Sequence, residues 1–176
     1  MVNLYSACFF VTAVSAAVLP LGRRDVTTVV NNLETIDTQT KALTTSINGW
    51  DGSLLGALGI ASASNSLGTA IDNANTEAAT EAQLSSADSQ TALAYVSGTL
   101  TPDVNTALTA LIGRESDVAA LGVQSLVLGQ IQTLQSKTDA YGATLVSISS
   151  ADTQAQAQTL VDALDASFDS AVTAYS

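Results

Sequence analysis

The sequence predicts an all-α protein, an antiparallel bundle of five to six helices. Three observations carry this. Apolar residues recur at three- and four-residue steps almost everywhere between Val26 and Tyr175, no stretch alternates with period two, and the chain has only two prolines.

The first helix carries Val26, Val29, Val30, Leu33, Ile36, Thr40, Leu43, Ile47 and Trp50 as one stripe, and the turn Asn48-Gly49-Trp50-Asp51-Gly52 stops it. A second helical stretch runs from Leu54 to about Thr80. Its stripe slips phase near Asn65 to Gly68, which predicts a kink or break there. Ser85-Ser86-Ala87-Asp88 opens a short helix with a capping hydroxyl and an early acid, ending near Gly98. Thr101-Pro102-Asp103 reads as a fresh start, with Thr as cap and Pro at the first helical position. Gly113 is expected to end that helix, and Ser116 to cap the next, whose stripe extends through Val123, Ile131, Leu134 and Tyr141 to Ile148. Ser149-Ser150-Ala151-Asp152 repeats the earlier start signal and opens the last helix, which carries Ala157, Leu160, Leu164, Phe168 and Tyr175.

Ahead of this region, Leu4 to Val18 is an apolar run too short for a bilayer core, which takes about 20 residues. It has the length of a secretory signal, so residues 1–17 are expected to be removed after Ala16 or Ala17. Residues 18–24 then read as a short propeptide ending at the dibasic pair Arg23-Arg24, which leaves a domain over 25–176. No transmembrane segment is expected. The apolar start predicts a secreted, extracellular protein, released or held non-covalently in a cell wall, since the C-terminus lacks the hydrophobic tail of a lipid-anchor signal. There is no Asn-x-Ser/Thr sequon, while the many hydroxyls leave O-glycosylation open.

Removing the leader also removes Cys8 and Met1, and the chain has no histidine at all. Three cations (Lys41, Arg114, Lys137) then face all sixteen acids, a charge of −13. Thiol nucleophiles, Ser-His-Asp triads and His or Cys metal sites lack their residues, so no catalytic residue, metal ligand or cofactor is expected. Scattered cations on so acidic a chain argue against nucleic acid and against anionic membranes. Asp162, Asp165 and Asp169 share one helix face, as do Glu77 and Glu81, but both groups fall off the apolar stripes and read as solvated faces. Each of the three cations has two roles open to it, a surface ion pair or a hold on a ligand carboxylate. Trp50 is read as a staple between its turn and the bundle, or else as an exposed apolar contact.

Ala, Ser and Thr make up 64 of the 152 residues from Asp25 onward, and large apolar residues only 41. Small side chains of this kind pack either as a thin, dry core or as an incompletely filled interior with an apolar cavity, and composition leaves both open.

Leu33-Glu34-Thr35-Ile36-Asp37-Thr38, Lys41-Ala42-Leu43-Thr44 and the Gly-Trp-Asp-Gly turn resemble the opening of fungal hydrophobic surface binding protein A domains, relatives of the cell-wall galactomannoproteins. Leu100-Thr101-Pro102-Asp103-Val104, Ser125-Leu126-Val127-Leu128 and the Ala-Gln repeats near residue 155 follow the same pattern. The resemblance implies a secreted, non-enzymatic domain that adsorbs to hydrophobic surfaces, binds fatty acids or similar lipids between its helices, and assists a secreted esterase or cutinase. A structural wall mannoprotein without a small-molecule ligand is the alternative. The expected ligand contacts are the apolar stripe residues Leu33, Ile36, Leu43, Ile71, Leu108, Ile131, Leu134, Leu164 and Phe168.

Overall fold

The computed structural model describes residues 26–176. The expected signal peptide, its cut after Ala17 and the processing site at Arg24 lie outside the described residues. Among the described residues every regular element is helical.

α1 (Val26–Asn48) buries Val29, Leu33, Ile36, Thr40, Leu43 and Ile47, the expected stripe. Its other faces are rich in hydroxyls that disfavour helix interiors when they compete for the backbone. Here they bond within the helix instead: Thr35, Thr38, Thr44, Thr45 and Ser46 each donate to the carbonyl four residues earlier. Trp50 is the staple of the following turn. It is 5% exposed, and its Nε1 donates to the Ser53 carbonyl at 2.7 Å. The Ser53 hydroxyl accepts from Gly56 N at 3.0 Å and so caps α2 (Leu54–Ala78). Gly56 is needed for close approach, because a Cβ there would lie 2.5 Å from the Trp50 ring.

α2 is one continuous helix, so the expected break at Asn65 to Gly68 does not occur. The phase slip has another cause. Leu54, Leu55 and Leu58 in its first turns stay exposed, whereas Ser64, Leu67, Gly68, Ile71, Ala74 and Ala78 are buried. The stripe changes because the environment changes. α2 is long and apolar enough by composition to cross a membrane, but its C-terminal two-thirds form a wall of the bundle.

Ser85 caps α3 (Ser86–Tyr95) as its start signal predicts, accepting from Asp88 N at 3.2 Å. The expected break near Gly98 does not occur. A π turn over Val96–Leu100 joins α3 directly to α4 (Thr101–Ile112), with Thr101 N–H reaching back five residues to the Val96 carbonyl. Thr101 therefore does not cap; its hydroxyl is buried without a partner. Pro102 is tolerated because the widened turn takes up the donor it lacks and the room its ring needs. The expected single helix from Ser116 is also divided. α5 (Glu115–Ala120) is followed by Gly122, whose φ of +70° turns the chain, and α6 (Gln124–Ile148) comes next. Ser116 lies inside α5 rather than ahead of it. α7 (Gln154–Ala174) closes the chain.

Consecutive long rods alternate in direction, as their short connections require. α1 packs on α2 and on the α3–α4 rod, α2 on α6, α6 on α7, and α7 on α4, so five rods close into a ring. Across the α2–α6 seam the partners climb together: Ser64 with Gln130, Asp72 with Lys137, Asn75 with Thr144. The same holds between α1 and the α3–α4 rod, where Asp37 meets Tyr95 and Lys41 meets Asp103. These two seams are parallel, and α5 is left as a plug at one end. The two serine start signals also meet: Ser86 donates to Asp152 at 2.6 Å, and Ser89 accepts from Ser150 N at 2.9 Å.

Candidate functional site: an apolar interior with a leucine rim

A ring of five helices with small side chains encloses space. At its centre lies a cavity of about 80 Å³, to which all five rods contribute. Eight of the nine stripe residues expected at a ligand line it, all except Ile131. A second space of about 260 Å³ lies toward the plugged end, between the N-terminal parts of α2 and α6, and Ile131 lines that one. Leu43 and Leu134 belong to both walls and form the partition. A third, polar recess of about 280 Å³ lies between α2 and α6 beside Lys137, and Leu134 borders it too.

No charged residue lines either apolar space. Polar side chains in the central wall are confined to Thr40, Thr138 and Tyr141. Thr40 donates to the Ile36 carbonyl at 2.9 Å, but the hydroxyl of Tyr141, a residue 5% exposed, has no hydrogen-bond partner among the described residues. Burial, with a smaller contribution from Glu77, pushes the Tyr141 phenol well above its ordinary range.

Sequence reasoning did not single out the mouth of the second space. Leu54, Leu58 and Leu126 line it while being 61%, 61% and 69% exposed, and Leu55 beside them is 79% exposed. Four open leucines in one place are unusual for a soluble monomer. They sit in two charge-free stretches, residues 52–71 and 118–136, on a chain otherwise crowded with acids. Those two stretches were the available signal.

The cations are held outside the ring. Lys41 pairs with Asp37 at 2.7 Å and Asp103 at 3.3 Å, and the bond to Asp37, then that to Asp103, raises its pKa. Arg114 pairs with Asp117 at 3.3 Å and donates to the Asn48 carbonyl, and Lys137 pairs with Asp72. The acid groups do not converge on a cleft. Gln135 donates to both Asp165 and Asp169, Gln158 donates to Asp162, and Glu77 accepts from Asn32 at 2.9 Å.

The comparisons agree with this geometry. The sequence profile described as hydrophobic surface binding protein A matches residues 26–147. No curated protein matches the chain. Among solved structures, one described as AfMP4p in complex with palmitic acid is 36% identical with a TM-score of 0.83, covering 86% of this chain and 100% of its own. Ligand binding domain 1 of the Penicillium marneffei MP1 protein, complexed with arachidonic acids, is 17% identical with a TM-score of 0.82, covering 87% of this chain and 99% of its own. Domain 2 of that protein, complexed with multiple arachidonic acids, is 15% identical with a TM-score of 0.83, covering 88% and 98%. The last two show the shared fold; the profile match decides membership. The chain belongs to the hydrophobic surface binding protein A family.

Proposed function

We propose that this protein is a secreted, non-enzymatic lipid-binding domain that holds the acyl chain of a fatty acid inside the helical ring. The single observation that carries the proposal is the uncharged apolar interior built from all five rods, with an apolar annex behind a two-leucine partition. The 36%-identical relative bound to palmitic acid supports the same occupant. Size makes the annex necessary. A dry cavity of about 150 Å³ takes a ligand of benzene size, so the central space of about 80 Å³ alone is too small for a long chain. Turning Leu43 and Leu134 aside joins it to the space of about 260 Å³ and gives a tunnel along the bundle. Leu33, Ile36, Ile71, Leu108, Leu164 and Phe168 would then surround the buried part of the chain, and Ile131 the outer part.

The exposed leucines favour a second, compatible activity: adsorption of the rim to an uncharged hydrophobic surface, where the protein would lie beside an esterase acting there. Native mass spectrometry of the protein before and after organic extraction tests the interior site. A bound mass of a fatty acid that returns on adding palmitate is expected, and a clean mass under both conditions refutes capture. Leu55→Ser with Leu126→Ser should cut depletion onto wax or polyester beads severalfold without lowering thermal stability; unchanged depletion would remove the rim from the account.

A further inference from the structure

The interior poses a chemical question that an acyl chain alone does not answer. A buried phenol hydroxyl without a partner forfeits a hydrogen bond, which costs about 1–3 kcal/mol, and folded proteins rarely leave such a group unsatisfied. Tyr141 is in this position, on α6, in the wall of the central cavity. Its phenol stays protonated because burial disfavours the ionised form, and of the charged groups on neighbouring elements Glu77 on α2 is the one acting on it, in the same direction. It is thus a donor in want of an acceptor. Nothing near it would accept a negative charge as such: no cation lines the cavity or its annex, and Lys41, Arg114 and Lys137 are committed to carboxylates elsewhere. Burying an ionised carboxylate there would cost far more than one neutral hydrogen bond returns.

We propose that the lipid is bound with an uncharged polar end, a hydroxyl, an ester carbonyl or a protonated carboxyl, accepting a hydrogen bond from Tyr141 in the central cavity. This rests on the acyl-chain proposal above and adds the chemical class: the site selects neutral single-chain lipids, and takes a fatty acid as the acid rather than the carboxylate. The acceptor oxygen satisfies the phenol, and the chain leads away toward Leu134 and the annex.

The test compares hexadecane, hexadecanol, methyl palmitate and palmitic acid on the chain from Asp25, by thermal-shift titration and native mass spectrometry, at about pH 5 and about pH 8. The alcohol and the ester should bind equally at both pH values. Palmitic acid should lose roughly tenfold in affinity per pH unit once its carboxyl ionises, because the bound form must carry the proton. Tyr141→Phe should weaken the alcohol and ester by roughly three- to tenfold, the worth of one neutral hydrogen bond, and leave hexadecane unchanged. Hexadecane also reports that the variant is folded with its cavity intact. If none of the four binds, the acyl-chain proposal itself fails. If hexadecane binds but Tyr141→Phe leaves the alcohol unaffected, the head-group assignment is overturned. If palmitic acid binds as well at the higher pH, and Lys137→Ala abolishes that binding, the head is an ionised carboxylate in the polar recess and the proposal is wrong.

Discussion

At the scale of single residues, the glycines of α6 show how local space decides the effect of a methyl group. A Cβ on Gly142 would lie 2.8 Å from Val161 Cγ2, a β-branched side chain on α7 with no slack rotamer, whereas one on Gly129 would meet nothing. Gly142→Ala is therefore expected to destabilise by about 1–3 kcal/mol through overpacking, and Gly129→Ala to stabilise by about 0.5–1 kcal/mol through helix propensity. Urea denaturation of both variants measures the contrast, which fails if the two shifts share a sign. The tyrosines give a second residue-scale prediction. Tyr175 donates to the Leu111 carbonyl at 2.6 Å, and burial raises its pKa from 10.0 to about 12, with Glu115 and Asp117 adding to the shift; Tyr141 moves in the same direction. A raised folded pKa means the unfolded chain releases these protons first. The Tyr175 contribution is complete below pH 10 and is lost as the pH rises toward 12. Thermal melts across that window should fall steadily, and Tyr175→Phe should flatten the decline.

At the scale of the element, the helical period placed eight of nine candidate residues in one cavity, because a residue's phase on a helix fixes which way it faces whatever its neighbours turn out to be. What the period could not carry was a change of environment along one helix. In α2 one unbroken helix passes from exposed Leu54, Leu55 and Leu58 to buried Leu67 and Ile71, and in a one-dimensional pattern that change of environment looks like a break. Thr101-Pro102 misled for a different reason. A capping hydroxyl before proline is a good start signal when the preceding turn is free to open, but Val96 and Leu100 are buried, and packing held the rod together through a π turn. The break that does occur, between α5 and α6, depends on Gly122 at φ +70°. Gly122→Ala should cost about 1 kcal/mol, because a Cβ is strained in that conformation whatever space surrounds it. The same change at Gly98, which lies in the π turn at ordinary φ with open space around it, should cost no stability, and comparing their midpoints checks the distinction.

At the scale of the whole molecule, the ring explains how a chain without a cysteine in its described residues encloses an apolar space. No helix pair builds the cavity; each rod contributes one wall, and a ligand that fills it touches all five. Occupancy should therefore stabilise the entire bundle. Palmitic acid at a hundred times its dissociation constant, added at a pH where it binds, is expected to add about 2.7 kcal/mol, visible as a single shifted melting transition rather than the appearance of a second one. A ligand-independent midpoint would contradict it. The seams that close the ring also set a timetable. Asp37 and Tyr95 are 58 positions apart, and Leu111 and Tyr175 are 64 apart, so the ring closes between α4 and α7 only when the far end of the chain has arrived. Helices form in about a microsecond, whereas bringing such distant segments together carries the loop-closure cost first. For an all-helical chain, refolding should accordingly be slow and governed by the docking of α7, and a nascent chain still lacking that helix remains an open trough with its greasy face uncovered.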